Sequence, residues 1–381
     1  MIGKHAPSAS APVAGGDDCD DAPVTSPRLR SALDGIPAYK AGQPARIIPG
    51  VTPFKLSSNE NHHDPLPSVL RATELALREM HRYPDYGSAD LVRAISERFT
   101  VPSDHVSVGT GSVGLLQQLV QITAGPGDGV LFAWRSFEAY PIMTQIAGAT
   151  SQRVPLDADD RHDLGAMLDA IDDSTRLILI CNPNNPTSTA VGRDAIADFI
   201  ARAPQDVLIV LDEAYTEFVD PRRIPDGLDF YREHPNVAVL RTFSKAYGLA
   251  ALRVGYCIAH DEVTAAMRKV QVPFGVSTLA QVAAIASLEH EDELLARVRA
   301  IAAERDRVVE ALTAAGVHPA QSEANFIWLR LGESTMDFSV ACEERGLAVR
   351  PFAGEGVRIT IGEPEANDRL IAFAATWRAG A

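Results

Sequence analysis

Lys245 has the clearest chemical potential in this sequence, because it follows an apolar run and lies among polar side chains. The run VAVLRTF ends two positions before it, Thr242 and Ser244 lie beside it, and Arg253 follows eight residues later. A nearby cation lowers the pKa of a lysine and frees its amine as a nucleophile, which Schiff-base chemistry requires. A surface lysine is the plain alternative, but the order Thr-x-Ser-Lys and then Arg favours the nucleophile.

Asp212 and a pair of asparagines are the next candidates. Asp212 ends the apolar run VLIVL. It is either a cap or turn residue or a carboxylate held as the partner of a cationic ring nitrogen, and the residue alone does not decide between these. The segment CNPNNPTS presents Asn184 and Asn185 between two prolines, which favour an extended backbone. Their amides could donate to a phenolate or carboxylate oxygen, although a plain loop also fits.

The segment VGTGSVGLLQQL, residues 108–119, is a glycine-rich turn that leads directly into a predicted helix. Backbone N–H groups and the positive end of the helix dipole bind anions at such a position. Gly111 permits close approach of a phosphate, Ser112 can donate a hydroxyl, and the guanidinium of Arg253 suits bidentate phosphate contact. The segment lacks the pattern of an ATP-binding P-loop.

Together, these segments describe a ligand with a phosphate, an aldehyde, a phenolate and a ring with a cationic nitrogen. Pyridoxal 5′-phosphate (PLP) has all four features, and its binding is marked by a Schiff-base lysine and an acidic partner for the ring nitrogen. The sequence therefore predicts PLP as the cofactor. The ten histidines and four cysteines show no zinc-binding spacing, so no metal is expected.

The elements that must position these residues alternate between strand and helix from about residue 105 to 260. The predicted strands are HVSVG, GVLFAW, RLILIC, DVLIVLD, VAVLRTF and VGYCIA, and predicted helices between them include SVGLLQQLVQITA and DAIADFIARA. This alternation predicts an α/β fold with a mostly parallel central sheet flanked by helices. Ligands bind outside the carboxyl ends of such strands, where the polar segments collect.

The length of 381 residues predicts two domains, because it exceeds one comfortable hydrophobic core. Residues 1–27 are rich in Ala, Pro, Gly, Ser and Asp, and we expect a disordered tail. Residues 56–284 are expected to form a large PLP-binding domain. Residues 285–381 are expected to form a smaller α+β domain, against which residues 28–55 pack.

Charge and composition exclude several classes of function. A net charge of −15 argues against nucleic acid or an anionic membrane as a partner. No run of eighteen apolar residues predicts a membrane span, and the N-terminal stretch lacks the apolar core of a signal peptide. The widely spaced cysteines predict reduced thiols and a cytoplasmic protein. They are Cys19, Cys181, Cys257 and Cys342.

The motifs HRYPDYG, AWRSFEAY, CNPNNPTST, DEAY, RTFSKAYGLA, ANF and GVRIT occur in this order from about residue 28 to the C-terminus. In these motifs the sequence resembles the fold-type I PLP-dependent aminotransferases of the histidinol-phosphate aminotransferase group. Within that group it is most similar to the actinobacterial aromatic amino acid (phenylalanine) aminotransferases. The resemblance implies a fold-type I PLP-transferase that acts as a homodimer.

The resemblance also implies roles around the cofactor ring. Lys245 would form the internal aldimine and move the proton between the substrate Cα and the cofactor. Asp212 would keep the ring nitrogen protonated, Asn185 and Tyr215 would contact the phenolic oxygen, and Phe137 would stack on the ring.

Further roles concern the phosphate and the substrate. The implied phosphate contacts are Gly111, Ser112, Val113, Thr242, Ser244 and Arg253. Tyr83 in HRYP would reach the cofactor phosphate of the partner subunit, which makes the dimer part of the site. Arg358 in GVRIT would clamp the substrate carboxylate bidentately. The other implied substrate contacts are Asn185, Arg350, Asn325, His63 and Tyr39.

One departure from the family pattern concerns His62 and His63, in NENHHDP, which replace a proline and an aromatic residue. The change is either a tolerated loop substitution or an altered specificity, with imidazole as a hydrogen-bond partner or a pH-sensitive gate. A second departure, NPTS for the commoner NPTG, matches the aromatic subgroup.

The predicted function is transamination between an aromatic amino acid and a 2-oxo acid such as 2-oxoglutarate, in a ping-pong cycle. The alternative is histidinol-phosphate transamination. A PLP-dependent lyase of the same fold and a regulator that borrows the fold are the other classes considered. The short acidic tail cannot form a DNA-binding domain, which argues against the regulator.

Overall fold

The computed structural model describes residue 27, residues 29–37 and residues 39–377. The strands of this part of the chain are β1 (Phe54–Lys55), β2 (Val106–Gly109), β3 (Gly129–Trp134), β4 (Thr150–Pro155), β5 (Thr175–Cys181), β6 (Leu208–Asp212), β7 (Val237–Thr242), β8 (Gly255–Ile258), β9 (Phe326–Arg330), β10 (Leu347–Ala348), β11 (Arg350–Phe352) and β12 (Gly356–Thr360). Except for Pro27, the predicted tail lies outside the described residues.

The α-helices of the same part are α1 (Pro67–Ala76), α2 (Ala89–Phe99), α3 (Gly111–Thr123), α4 (Ala139–Ala147), α5 (Leu164–Asp169), α6 (Arg193–Arg202), α7 (Gly227–Glu233), α8 (Asp261–Val270), α9 (Thr278–Glu289), α10 (Glu291–Ala314), α11 (Thr335–Glu343) and α12 (Pro364–Ala374). Not one of them is long and apolar enough to cross a membrane. The cytoplasmic location stays a prediction.

A seven-stranded sheet in the order β2-β8-β7-β6-β5-β3-β4 forms the centre of the molecule. Strand β8 runs antiparallel to both of its neighbours, and the other pairs are parallel. The predicted mostly parallel sheet is therefore confirmed, and all six predicted strands belong to it. Strand β4 was not predicted, because it is a partly exposed edge strand of mixed polarity and not an apolar run.

The central strands read as continuous apolar runs because both faces of the sheet are covered. Side chains alternate between the two faces, so Ile178 and Ile209 join one buried cluster while Leu179 and Val210 join the other. The parallel register sets Cys181 beside Asp212. The carboxyl ends of β5 and β6 therefore meet at one edge, where their polar successors lie together.

A second, smaller sheet has the antiparallel order β11-β12-β9. Near it, β1 pairs in parallel with β10, and Phe54 lies opposite Leu347. The segment before the large sheet is thus joined to the C-terminal part of the chain. The domain boundaries themselves stay a prediction.

Three cysteines, Cys181, Cys257 and Cys342, are buried free thiols. Cys19 lies outside the described residues. Burial raises the pKa of the Cys181 and Cys257 thiols to about 12, because the thiolate is poorly solvated there. They pack as small apolar side chains.

Candidate active site

A cavity of about 260 Å³ lies at the carboxyl ends of β5, β6 and β7 and reaches the smaller sheet. Most of the residues predicted from the sequence line it, namely Tyr39, Ser112, Val113, Phe137, Asn185, Asp212, Tyr215, Thr242, Ser244, Lys245, Arg253, Arg350 and Arg358. Residues that are far apart in the chain thus share one cavity. Four predicted residues are absent from its lining: Gly111, Tyr83, Asn325 and His63.

Lys245 follows the end of β7 and extends its amine into the cavity. Its Nζ donates a hydrogen bond to the backbone oxygen of Ser58, at 3.1 Å, and lies 5.9 Å from the ring centre of Tyr215. Burial lowers the pKa of Lys245 to about 7, and the positive charges of Arg358 and Arg253 act in the same direction. At neutral pH a large fraction of the protein molecules therefore has Lys245 in its neutral, nucleophilic form.

Asp212 is a buried carboxylate with one satisfied and one free oxygen. Its Oδ2 accepts a hydrogen bond of 2.7 Å from the hydroxyl of Tyr140. Its Oδ1 is buried and has no hydrogen-bond partner among the described residues. Desolvation raises the pKa of Asp212 to about 6. A cationic N–H donor in the cavity would satisfy the free oxygen and stabilise the charged form.

A second group of donors surrounds the start of helix α3. The Oγ1 of Thr242 lies 2.9 Å from the Oγ of Ser244, and an Nη1–H of Arg253 reaches the same Oγ at 3.3 Å. Gly111 has φ +70°, and a Cβ there would lie 2.6 Å from Nη2 of Arg253. Only glycine allows this approach without displacing the guanidinium. Gly111 thus packs against Arg253, which lines the cavity, without lining the cavity itself.

Arg358 lies on β12 of the smaller sheet, lines the cavity and is buried. Its Nη1 donates to Oδ1 of Asn185 and its Nη2 to the backbone oxygen of Ser57, both at 2.6 Å. Its Nε has no partner among the described residues. Burial lowers the pKa of Arg358. A buried guanidinium that contacts only neutral oxygens favours the binding of an anion.

Arg350 lies opposite Arg358 in the β11–β12 ladder. Its Nη2 donates to Oε2 of Glu138 at 2.8 Å, and its Nη1 donates to the backbone oxygen of Ala41 at 3.3 Å. Glu138 also lines the cavity. This arginine therefore has a carboxylate partner where Arg358 has neutral ones.

Asn325 and His63, which are predicted as substrate contacts, do not line this cavity. Asn325 is buried behind it and donates to the backbone oxygen of Asn59, whose side chain donates to the hydroxyl of Tyr215. His63 does not line the cavity, and its backbone N–H donates to Oδ1 of Asn61, whose Nδ2 donates to the backbone oxygen of Ala246.

Tyr83 is 82% exposed, and its ring stacks on Phe274 with a centroid distance of 4.7 Å. It makes no contribution to the lining of this chain's own cavity. Sequence reasoning had placed it at a partner subunit's cofactor, a role that stays a prediction.

Several residues at or beside the site were not predicted from the sequence, among them Ser57, Ser58, Glu138 and Tyr140. The first two act through backbone oxygens, which leave no side-chain signal. Tyr140 is fully buried, and a buried tyrosine hydroxyl needs a partner. Both Glu138 and Tyr140 belong to the AWRSFEAY motif, where only Phe137 had been singled out.

Comparison with known proteins agrees with this geometry. The family model for class I and II aminotransferases matches residues 51–373. The chain belongs to the class I and II aminotransferases. It is 59% identical to an aromatic amino acid aminotransferase of Streptomyces avermitilis, over 93% of this chain and 98% of the relative. A relative of the same description from Thermobifida fusca is 56% identical, over 92% of this chain and 97% of its own length.

Solved structures of other aminotransferases share the fold. The histidinol-phosphate aminotransferase of Sinorhizobium meliloti, solved in complex with pyridoxal 5′-phosphate, has a TM-score of 0.78 and 29% identity, and the match covers 83% of this chain and 88% of that one. The fold-type I architecture and the aminotransferase family that the sequence predicted are therefore confirmed.

Proposed function

We propose that this aminotransferase binds PLP and transfers the amino group of an aromatic amino acid to a 2-oxo acid such as 2-oxoglutarate. The observation on which the proposal rests is that Lys245, Asp212 and Arg358 share one cavity, with a depressed lysine pKa, an unpartnered carboxylate oxygen and an arginine that lacks a carboxylate partner. The relatives described as aromatic amino acid aminotransferases support the aromatic substrate.

The residues present fit PLP. The free Oδ1 of Asp212 suits the ring N–H. The Nδ2 of Asn185 is available to the phenolic oxygen, because only its Oδ1 is occupied by Arg358. The hydroxyl of Tyr215 accepts from Asn59 and retains its own proton to donate. When bound, PLP supplies an electron sink that weakens a bond at the substrate Cα.

The other end of the cofactor matches the donors near helix α3. The hydroxyls of Thr242, Ser244 and Ser112 and the guanidinium of Arg253 would hold the phosphate, with the start of the helix beneath it. Val113 and the closely packed Gly111 complete this end. Phe137 lines the cavity and would cover a face of the ring.

Lys245 is proposed as the residue that binds the cofactor aldehyde and moves the substrate Cα proton. A general base works best with a pKa near the operating pH, and burial lowers that of Lys245 to about 7. Arg358 would fix the substrate carboxylate and so orient Cα towards this amine. Tyr39 and Arg350 line the same end of the cavity.

A homodimer is the second part of the proposal. Tyr83 and Phe274 form an exposed aromatic pair, and Val272 beside them is 64% exposed. Exposed apolar side chains that lie together are a feature of protein–protein contact surfaces. We infer that it packs on a second copy and that Tyr83 contacts the partner's cofactor phosphate. The mass in solution should be that of a dimer, and Tyr83→Phe should weaken PLP binding.

A panel of amino donors tests the function. Single-turnover reactions with L-phenylalanine, L-tyrosine, L-tryptophan and histidinol phosphate are followed by the absorbance of the bound cofactor. The aromatic amino acids should react fastest and yield 2-oxo acids. A much faster reaction with histidinol phosphate would refute the substrate assignment, and release of carbon dioxide would identify a lyase instead.

A further inference from the structure

Asn184 and Asn185 are neighbours in the sequence, but their side chains have different surroundings. Asn185 lines the cavity, and its Oδ1 accepts from Arg358 while its Nδ2 is available to a ligand. Asn184 does not line the cavity and is only 1% exposed. Of the two amides that could contact a ligand by their sequence, one is therefore buried outside the cavity lining.

The side chain of Asn184 is fully used in hydrogen bonds. Its Nδ2 donates to the backbone oxygen of Arg135 at 3.1 Å and to Oγ1 of Thr187 at 2.7 Å. Its Oδ1 accepts from the hydroxyl of Ser136 at 2.7 Å and lies 3.2 Å from Nε2 of His162. A backbone oxygen can only accept, so the contact with Arg135 fixes which side-chain atom is the nitrogen. Both N–H groups of the amide are occupied, and none is left for a ligand.

The histidine in this network is buried and neutral. Because Oδ1 of Asn184 is an acceptor, Nε2 of His162 carries the ring proton. Burial lowers the pKa of His162 to about 4, because the charged imidazolium would be poorly solvated there. The same donor therefore faces Asn184 throughout the neutral pH range.

Through these bonds Asn184 joins two segments that carry proposed cofactor contacts. Arg135 and Ser136 directly precede Phe137, which would cover a face of the cofactor ring. Asn184 directly precedes Asn185, which would contact the phenolic oxygen. Residues that bind a ligand keep their position only when the hydrogen bonds around them hold it. One buried amide thus sets the spacing between a contact at the ring face and a contact at the ring edge.

We propose that Asn184 is a positioning residue that holds Phe137 and Asn185 in place for the cofactor. The inference deepens the proposed function and rests on its placement of PLP. Asn184 itself would touch neither the cofactor nor the substrate. Its loss should therefore act on cofactor binding through two residues that are themselves unchanged.

The test compares Asn184→Ala with Asn185→Ala and with the wild-type enzyme. The cofactor-free proteins are titrated with PLP, and the pH midpoint of the absorbance change of the bound cofactor is measured for each protein. Asn185→Ala shows the effect of losing a direct contact with the phenolic oxygen. Asn184→Ala should weaken PLP binding by about tenfold and should shift the pH midpoint in the same direction as Asn185→Ala.

Asn182→Ala is the matched control. Asn182 belongs to the same loop, is 5% exposed, and exchanges two hydrogen bonds with the backbone of Val191, at 3.1 and 2.8 Å. Neither bond reaches residues 135–137. This variant should lower the melting temperature, as Asn184→Ala does, but should keep the PLP binding and the pH midpoint of the wild type. Ser136→Ala removes a single bond to Asn184 and should weaken PLP binding by a smaller factor, about threefold.

Two results would overturn the inference: wild-type PLP binding and pH midpoint in Asn184→Ala, or an equal loss in Asn182→Ala, which would indicate a general loosening of the loop. If Asn184→Ala does not fold, unchanged PLP binding in Ser136→Ala overturns the inference equally well. Failure of the proposed function has a different signature, because Asn185→Ala itself would then bind PLP as the wild type does.

Discussion

The two ends of the cavity are built in different ways. The end proposed to hold the cofactor, called the cofactor end, contains Asp212, Thr242 and Lys245. It comes from the ends of neighbouring parallel strands, so Asp212 and Thr242 meet because their strands are paired. The end proposed to hold the substrate, called the substrate end, combines Tyr39, Glu138 and Arg358, which come from widely separated parts of the chain. Strand pairing within the large sheet thus sets the geometry of the cofactor end. The geometry of the substrate end depends on how the smaller sheet packs against the large sheet. The predictions below ask how far the two ends act separately.

The largest effect is expected for Lys245→Ala, which removes the central residue of the cofactor end. Turnover should fall by more than about a thousandfold, because the nucleophile and the general base are lost together. The visible absorbance of the lysine-bound cofactor should disappear as well. Lys245→Arg keeps the positive charge and should be equally inactive. Wild-type turnover in either variant would exclude Lys245 from catalysis.

Arg358→Ala removes the main cation of the substrate end, and a loss of roughly a hundredfold in kcat/KM for L-phenylalanine is expected. The reason is that Arg358 and the substrate carboxylate would form a buried, hydrogen-bonded charge pair. Truncating one member of such a pair costs about 2–5 kcal/mol. PLP affinity should change little if the two ends act separately. Arg358→Lys keeps the charge without the planar fork and should be intermediate. Steady-state kinetics and cofactor titration measure both quantities.

Because the pKa of Lys245 is lowered to about 7, chemical labelling of its amine in the cofactor-free protein should reach half of its maximal rate near pH 7. An amine is nucleophilic only when deprotonated, so Lys245 reacts above pH 7, whereas an ordinary lysine reacts mainly above pH 10. At pH 8 acetylation should be roughly tenfold faster at Lys245 than expected for an ordinary lysine, after allowance for its lower basicity. Peptide mass spectrometry measures the rate, with exposed Lys269 as the reference. Equal rates would contradict the shift.

Tyr140→Phe should have the smallest effect, about tenfold on kcat/KM, because it removes one hydrogen bond to the charged Asp212. The pKa of Asp212 should rise, since its carboxylate loses a donor, and the acid limb of the activity profile should move to higher pH. Tyr256→Phe removes another buried hydroxyl, away from the cavity, and serves as the control. If the acid limb lies at the same pH in Tyr140→Phe and Tyr256→Phe, Tyr140 does not lower the pKa of Asp212.

The cofactor end was largely predictable from the sequence, because a polar residue that follows an apolar strand is visible as a pattern. Asp212, Thr242 and Lys245 were found in this way, and all three line the cavity. Edge strand β4 was missed because its residues are only partly buried. A strand of mixed polarity gives no apolar run to recognise.

The substrate end was less predictable, because its contacts depend on tertiary packing. Nothing in the sequence indicates that Glu138 reaches Arg350. His63 is predicted near the substrate from its place in a motif; it does not line this chain's cavity, and its role stays a prediction. Motif position alone does not fix the direction of a side chain.

The pairing of β1 with β10 has a consequence for biosynthesis. A ribosome delivers the chain from its N-terminus, and the strands of the large sheet are all made once Ile258 has emerged. Strand β1 must wait for Leu347, and Arg358 emerges later still. The chain therefore completes the strands that carry Asp212 and Thr242 before those that carry Arg350 and Arg358, so the residues proposed to bind the substrate are the last to be made.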